Sequence, residues 1–195
     1  MSNTIEALKQ GKNIRVMGFD DAPFSKERNS IVNISGIVCS LTRFEGMVWG
    51  EVKKDGDDAT SQLIDLITKS KFYPQLHAIL LDGIAFGGFN IIDLQALSTE
   101  TQLPCIAVMR KCPNLAAIDK ALTNFTDYER RSILLKNAGT IQQQGGFIFQ
   151  HAGIDRDNAA CLLGRVTDTG KVPEPLRLAH FIGAAVKTGE SSNRA

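Results

Sequence analysis

Acidic residues stand at three places where a predicted strand ends or a predicted helix begins, and carboxylates at such places could bind a metal ion. Asp20 and Asp21 end the first apolar run, Asp82 directly follows "AILL", and the segment 55–58 reads "DGDD". Grouped carboxylates repel one another, so they either bind a cation or keep a proton. Hard oxygen ligands suit Mg²⁺ or Mn²⁺, and such an ion can activate water for the hydrolysis of a phosphate ester.

The same residues also have ordinary structural explanations. Asp20 and Asp21 precede Pro23 and could be turn residues, a position that aspartate favours. The segment 55–58 could form a turn followed by the N-cap of a helix. Asp82 is harder to explain in this way, because a carboxylate at the end of a buried strand is costly without a compensating partner. The metal site is a hypothesis that depends on the three places meeting in space.

Apolar periodicity predicts the elements that would position these carboxylates. Runs rich in β-branched residues predict strands at 14–19, 30–44 and 47–54, with a bulge near Gly36 and a turn at 45–46. The spacing then predicts a helix over 58–73, a strand over 77–82, a helix over 90–101 and a strand over 104–110. Further helices are predicted at 114–122, 127–137, 154–166 and 174–187, and residues 139–153 are predicted to form a weak hairpin or an extended stretch.

The order β-β-β-α-β-α-β followed by helices predicts an α/β fold. We expect one domain over residues 1–195, with short flexible ends at about 1–12 and 188–195. Short links make the first three strands antiparallel, and strands that follow a crossover helix are expected to be parallel. The result is a mixed sheet flanked by helices, as in the RNase H-like architecture. If the first and fourth strands are neighbours, Asp20 and Asp82 end at the same edge of the sheet.

Composition and motifs exclude several classes of protein. With 195 residues, 43% hydrophobic residues and a net charge of +1, the chain fits an ordinary globular protein and not a uniformly basic nucleic-acid binder. No apolar run is long enough to span a bilayer, and the first twelve residues lack the core of a signal peptide, so we expect a cytoplasmic protein without a membrane partner. The sequence contains neither a P-loop motif nor paired metal-binding cysteines. A homodimer is expected only from the general frequency of dimers.

Four segments, in order, resemble segments of endonuclease V and, more closely, of an uncharacterised protein family related to it. They are "RVMGFDDAPF", "HAILLDGIAFGGFNIIDLQALSTETQLPCIAVMRK", "FIFQHAGIDRDNAACLL" and "VPEPLRLAH". The resemblance covers about residues 14–182, nearly the whole chain. It implies an RNase H-like fold and metal-dependent cleavage of a phosphodiester bond in DNA or RNA.

The resemblance also implies which residues would hold the metal. Asp20 and Asp82 match metal-binding aspartates of endonuclease V and would hold Mg²⁺ or Mn²⁺. The glutamate that endonuclease V carries after its third strand has no direct match in "GMVWGEVKKDGDDAT". Asp58 is the best candidate for this third acid, with Asp55 or Glu51 as alternatives.

Three further residues enter the implied site. His151 matches a functional histidine of the family. The family lysine after the fifth strand corresponds to Arg110 without a gap, or to Lys111 if one residue is inserted. Of the other histidines, His77 is predicted to be structural, and His180 is predicted to lie on an amphipathic helix, where the sequence names no partner for it.

Two departures from endonuclease V leave the substrate open. The Pro-Tyr-Ile-Pro motif whose side chains wedge into the duplex is missing, and "FGGFN" replaces the His-Pro-Arg that follows the Asp-Gly turn. The chain is predicted to be a metal-dependent nuclease or phosphodiesterase. Its substrate could be a nucleic acid with a deaminated base, another nucleic acid or a small nucleotide. The alternative is a protein on the same fold that binds nucleic acid or a protein partner with little or no cleavage.

Overall fold

A computed structural model describes residues 2–27 and 30–192, and its main feature is a seven-stranded mixed sheet. The strands follow the spatial order β3-β2-β1-β4-β7-β9-β8. Their bounds are β1 Arg15–Asp21, β2 Ile31–Ser40, β3 Arg43–Lys53, β4 Ala78–Asp82, β7 Cys105–Met109, β8 Gln142–Gln144 and β9 Phe147–Ala152. A second sheet consists of β5 Ala85–Phe86 and β6 Asn90–Ile91. The predicted α/β class, with antiparallel strands followed by parallel ones, is confirmed.

The strands β1, β2 and β3 are antiparallel as predicted, but two local predictions were wrong. The turn between β2 and β3 lies at 41–42 instead of 45–46, so β3 begins earlier. The register shift between these strands lies at 38–39, whereas Gly36 is regularly paired. Gly36 has a packing role instead, because a Cβ there would lie 2.4 Å from Cε1 of Phe19.

The strand β4 lies between β1 and β7 and is parallel to both. Helices α2 (Ala59–Thr68) and α3 (Leu94–Thr101) lie in the connections that make these parallel pairings possible. The strand β9 is antiparallel to β7 and forms the predicted hairpin with β8. Gly145 and Gly146 both have positive φ, as a two-residue hairpin turn of type I′ requires.

Two apolar clusters lie on opposite faces of the sheet. One is covered by α2 and α3, and the other by helices near the chain ends. Along β1, Phe19 belongs to the first cluster and Val16 to the second, which explains why this strand is apolar on both faces. The remaining helices are α1 Ser2–Lys9, α4 Leu115–Leu122, α5 Tyr128–Asn137, α6 Arg156–Arg165 and α7 Glu174–Thr188.

The N-terminal segment, for which the sequence analysis expected a short flexible end, contains a helix. Residues Ser2–Lys9 form α1, in which Ala7 and Leu8 are buried. The hydroxyl of Thr4 donates to the backbone carbonyl of His77, which ties the helix to the start of β4. Part of the other predicted flexible end, residues 193–195, lies outside the described residues. Within the described chain, no helix is long and apolar enough to cross a membrane.

Candidate metal centre

The carboxyl ends of β1 and β4 bring two aspartates to one edge of the sheet. Phe19 pairs with Leu81 in the parallel register, so Asp20 and Asp82 are the next residues of neighbouring strands. Apolar burial of both strands fixes this register. The structure therefore brings together the two aspartates that the sequence analysis placed at one edge.

A third side chain comes from α7, which packs along β1 and β2. Gly18 permits the close approach of this helix, because a Cβ at Gly18 would lie 2.8 Å from the Cβ of Pro175. Further along the helix, Nδ1 of His180 lies 2.8 Å from Oδ2 of Asp20. One potential ligand atom from each of Asp20, Asp82 and His180 lies within 4.8 Å of the others.

These three side chains face a surface cleft of about 450 Å³, which we call the acidic cleft. It is also lined by Asp21, Ala22, Pro23, Phe24 and Arg110. On one side, Nη2 of Arg110 donates to Oδ2 of Asp82 over 2.8 Å. On the other side, Oδ2 of Asp21 accepts a hydrogen bond of 2.6 Å from the backbone N–H of Gly87. These two hydrogen bonds fix the positions of the carboxylates of Asp82 and Asp21.

Burial and mutual repulsion make the acidic cleft favourable for a cation. Burial, followed by the negative charges of Asp82 and Asp21, raises the pKa of Asp20 to about 8 against the opposing charge of Arg110. Burial likewise raises the pKa of Asp21 to about 6, although its hydrogen bond with Gly87 opposes the change. A divalent cation would relieve this repulsion. The two carboxylates fit Mn²⁺ or Mg²⁺, whereas the imidazole of His180 is a donor for a transition metal such as Mn²⁺ and not for Mg²⁺.

The candidates for the third acid, all in the described part of the chain, do not line the acidic cleft. Asp58 instead accepts hydrogen bonds from the N–H of Lys53 over 3.1 Å and from Nδ2 of Asn90 over 2.7 Å. It follows β3, which β2 separates from β1, and two strand spacings correspond to about 10 Å. Asp55 and Glu51 also form hydrogen bonds outside the cleft. The three-aspartate arrangement therefore differs from the observed cluster, whose third donor is a histidine.

His151 and Lys111 also lie away from the cluster. His151 pairs with Ile106 near the beginning of β7, whereas Asp82 pairs with Val108 near its end. The antiparallel direction of β9 thus carries His151 toward the opposite edge of the sheet. Lys111 is exposed and lies outside the lining of the acidic cleft, unlike the arginine before it.

Sequence reasoning missed the contribution of two residues to the cleft. His180 was placed on an amphipathic helix without a partner, although it ends "VPEPLRLAH", one of the segments that carry the family resemblance. That segment was the available signal. Asp21 was grouped with Asp20 but given no separate role, and the alternation of side chains along a strand gave no reason to expect both in one cleft.

Comparison with known proteins identifies the family. A family model described as Endonuclease dU matches residues 12–187. A UPF0215 protein from Methanothermobacter thermautotrophicus is 39% identical over 187 residues, which cover 93% of this chain and 92% of that relative.

Solved structures show which fold the chain shares. A protein of unknown function from Archaeoglobus fulgidus is 35% identical, with a TM-score of 0.84 over 89% of this chain and 98% of that chain. Endonuclease V from Ciona intestinalis, in complex with DNA containing an inosine, is 16% identical, with a TM-score of 0.54 over 91% and 92% of the two chains. The second likeness concerns the fold. With the endonuclease V fold and a family match over most of its length, the chain belongs to the Endonuclease dU family.

Proposed function

We propose that the chain is a divalent-metal-dependent nuclease that hydrolyses a phosphodiester bond in the acidic cleft. The observation that carries this proposal is the meeting of Asp20, Asp82 and His180, with one potential ligand atom of each within 4.8 Å of the others. The three residues come from two strand ends and a helix, and no local turn or helix cap accounts for their meeting.

The residues of the cleft have separate roles in this proposal. Asp20 and Asp82 would hold Mg²⁺ or Mn²⁺, and His180 would either complete the donor set or orient Asp20 through their 2.8 Å contact. When bound, the ion would supply activation of water and stabilisation of charge on the phosphate. Arg110 orients Asp82 and has further N–H donors that can reach a phosphate oxygen.

A nucleic acid is the substrate class that the surroundings favour. An apolar depression of about 300 Å³ lies next to the end of β4, and Ile84, Ala85, Phe89 and Met109 are among its lining residues. Apolar and aromatic walls of this kind can receive an unstacked base. The name Endonuclease dU supports cleavage within a strand and makes a dU-containing strand the first substrate to test. The inosine in the complex of the Ciona enzyme makes an inosine-containing strand the second.

Calorimetric titration with Mn²⁺ tests the metal site directly. Wild type should bind Mn²⁺, and Asp82→Asn should lose most of that binding while retaining its fold by circular dichroism. Asp157→Asn is the matched control, because the Asp157 side chain is 75% exposed on α6 and should leave binding unchanged.

Cleavage assays then test the reaction. Labelled strands that contain dU, inosine or only ordinary bases should be compared with Mg²⁺, with Mn²⁺ and with chelator. Cleavage that requires metal and is lost in Asp82→Asn supports the proposal. Absence of Mn²⁺ binding and of cleavage in wild type would contradict it and would favour a binding protein on the same fold.

A further inference from the structure

A second depression lies beside the acidic cleft and differs from it in charge. We call it the basic notch. Its volume is about 220 Å³, and it is lined by Met109, Arg110, Gly146, Phe147, Ile148, Lys171 and Val172. Its two charged residues, Arg110 and Lys171, are both cations. Because Arg110 also lines the acidic cleft, the two depressions are neighbours that share this residue.

Both cations of the basic notch can accept an anion. Nη2 of Arg110 donates a hydrogen bond to Asp82, but the side chain of Arg110 is 43% exposed and its other N–H groups remain as donors. Across residues 2–27 and 30–192, Lys171 forms neither an ion pair nor a hydrogen bond through its side chain. A lysine without a counterion beside a second cation indicates a place where a negatively charged ligand would be stabilised.

Lys171 lies beside the glycine turn that lines the basic notch. The Cε of Lys171 would lie 3.8 Å from a Cβ at Gly146, whose φ is +85°, so the lysine stem lies over the glycine turn between β8 and β9. Phe147 is buried and Ile148 is half-buried at the start of β9. Apolar walls lower the local polarity and strengthen the attraction between a cation and an anion.

We propose that the basic notch binds the phosphate group that neighbours the scissile phosphate along a nucleic-acid strand. This inference rests on the proposed function, because it takes the scissile phosphate to lie in the acidic cleft. Arg110 stands between the two positions, and Lys171 supplies the point charge that binds the second phosphate. A mononucleotide has no neighbouring phosphodiester, so the basic notch would select a strand over a small nucleotide.

Oligonucleotide binding across a salt series tests the basic notch. A fluorescein-labelled single-stranded oligonucleotide is titrated with the full chain in Ca²⁺, between 50 and 200 mM salt, for wild type, Lys171→Ala and Lys171→Arg. Lys12→Ala is the matched control, because Lys12 is also an exposed lysine but precedes β1 and lies at the opposite edge of the sheet. Hydrolysis of bis(p-nitrophenyl) phosphate with Mn²⁺ is measured in parallel, because this small diester has no neighbouring phosphate.

Lys171→Ala should bind the oligonucleotide several-fold more weakly, with a slope of log K against log salt reduced by about 0.7. Lys171→Arg and Lys12→Ala should match wild type, and all four proteins should hydrolyse the small diester equally. Unchanged affinity and slope in Lys171→Ala, an equal loss in Lys12→Ala, or failure of wild type to bind the oligonucleotide would each overturn the inference. A different result is oligonucleotide binding that depends on Lys171, with no metal-dependent hydrolysis of the strand or the diester. It would support phosphate binding in the basic notch and refute the proposed nuclease function.

Discussion

Replacing Asp20 with asparagine should stabilise the metal-free protein and reduce the dependence of its stability on pH. The folded chain keeps the Asp20 proton up to about pH 8, whereas a carboxyl with the ordinary pKa of 3.8 releases its proton on unfolding. Between these two pKa values the folded state binds one proton more than the unfolded state. The free energy of unfolding of wild type is therefore highest below pH 3.8 and falls as the pH rises to about 8. The titratable and charged groups that face Asp20 are Asp21, Asp82, Arg110 and His180, and all four remain in the variant.

The size of the effect follows from the interval of pH. One such group changes the free energy of unfolding by about 1.4 kcal/mol per pH unit. From pH 6 to pH 8, wild type should therefore lose about 2 to 3 kcal/mol through Asp20. Asp21, with a pKa of about 6, is half-ionised at pH 6 and completes its ionisation within this interval, but it does so in both proteins. The stability advantage of Asp20→Asn over wild type should grow by the same 2 to 3 kcal/mol.

Urea denaturation in EDTA at pH 6, 7 and 8 measures this difference, with Asp157→Asn as a control that should follow wild type. If the stability of Asp20→Asn relative to wild type does not increase between pH 6 and pH 8, Asp20 is already ionised at pH 6. That result would refute the reasoning. Adding Mn²⁺ at 100 times its Kd should stabilise wild type by about 2.7 kcal/mol and leave Asp20→Asn nearly unchanged.

Three other substitutions test the geometry of the site. Gly18→Ala should lower the free energy of unfolding by about 1–3 kcal/mol in urea denaturation, because its Cβ would press on Pro175. The same shift of α7 should displace His180 and weaken Mn²⁺ binding. Unchanged Mn²⁺ affinity would show that the metal site does not depend on how α7 packs. Arg110→Gln should reduce the salt slope of oligonucleotide binding by about 0.7 to 0.9, and an unchanged slope would remove this arginine from phosphate contact. Asp58→Asn should leave Mn²⁺ affinity unchanged in calorimetry, whereas lost binding would return Asp58 to the metal site.

The strand-borne part of the candidate site could be predicted because its signals are local. The run "AILL" identifies a buried strand, and the aspartate that follows it must stand where burial ends. A helix between strands predicts a parallel pairing, and the parallel pairing of β1 with β4 puts Asp20 and Asp82 at the same edge. No long-range contact had to be known for this step beyond the neighbourhood of the two strands.

The choice among carboxylates after β3 could not be made from the sequence. The side chains of several acidic residues in one turn can point in different directions, and the sequence does not show which of them faces the cleft. Asp58 accepts a hydrogen bond from Asn90 of β6, a contact that the sequence pattern did not predict. The turn between β2 and β3 was predicted at the wrong position because its backbone conformation is unusual for its residues. Leu41 adopts a φ of 55°, which bulky residues rarely do, so the glycine at position 46 was the stronger turn signal although it lies inside β3.

The contribution of α7 depends on contacts between residues far apart in the chain. His180 and Asp20 are separated by 160 positions. The helix reaches β1 because Gly18 leaves room for Pro175, and because Gly183 leaves room for the backbone of Ala22 at 3.3 Å from its would-be Cβ. An amphipathic pattern predicts that such a helix has a buried stripe, but neither its partner strand nor its rotation. Since a rotation of one residue would turn the imidazole away from Asp20, these glycines determine whether the acidic cleft has a third donor.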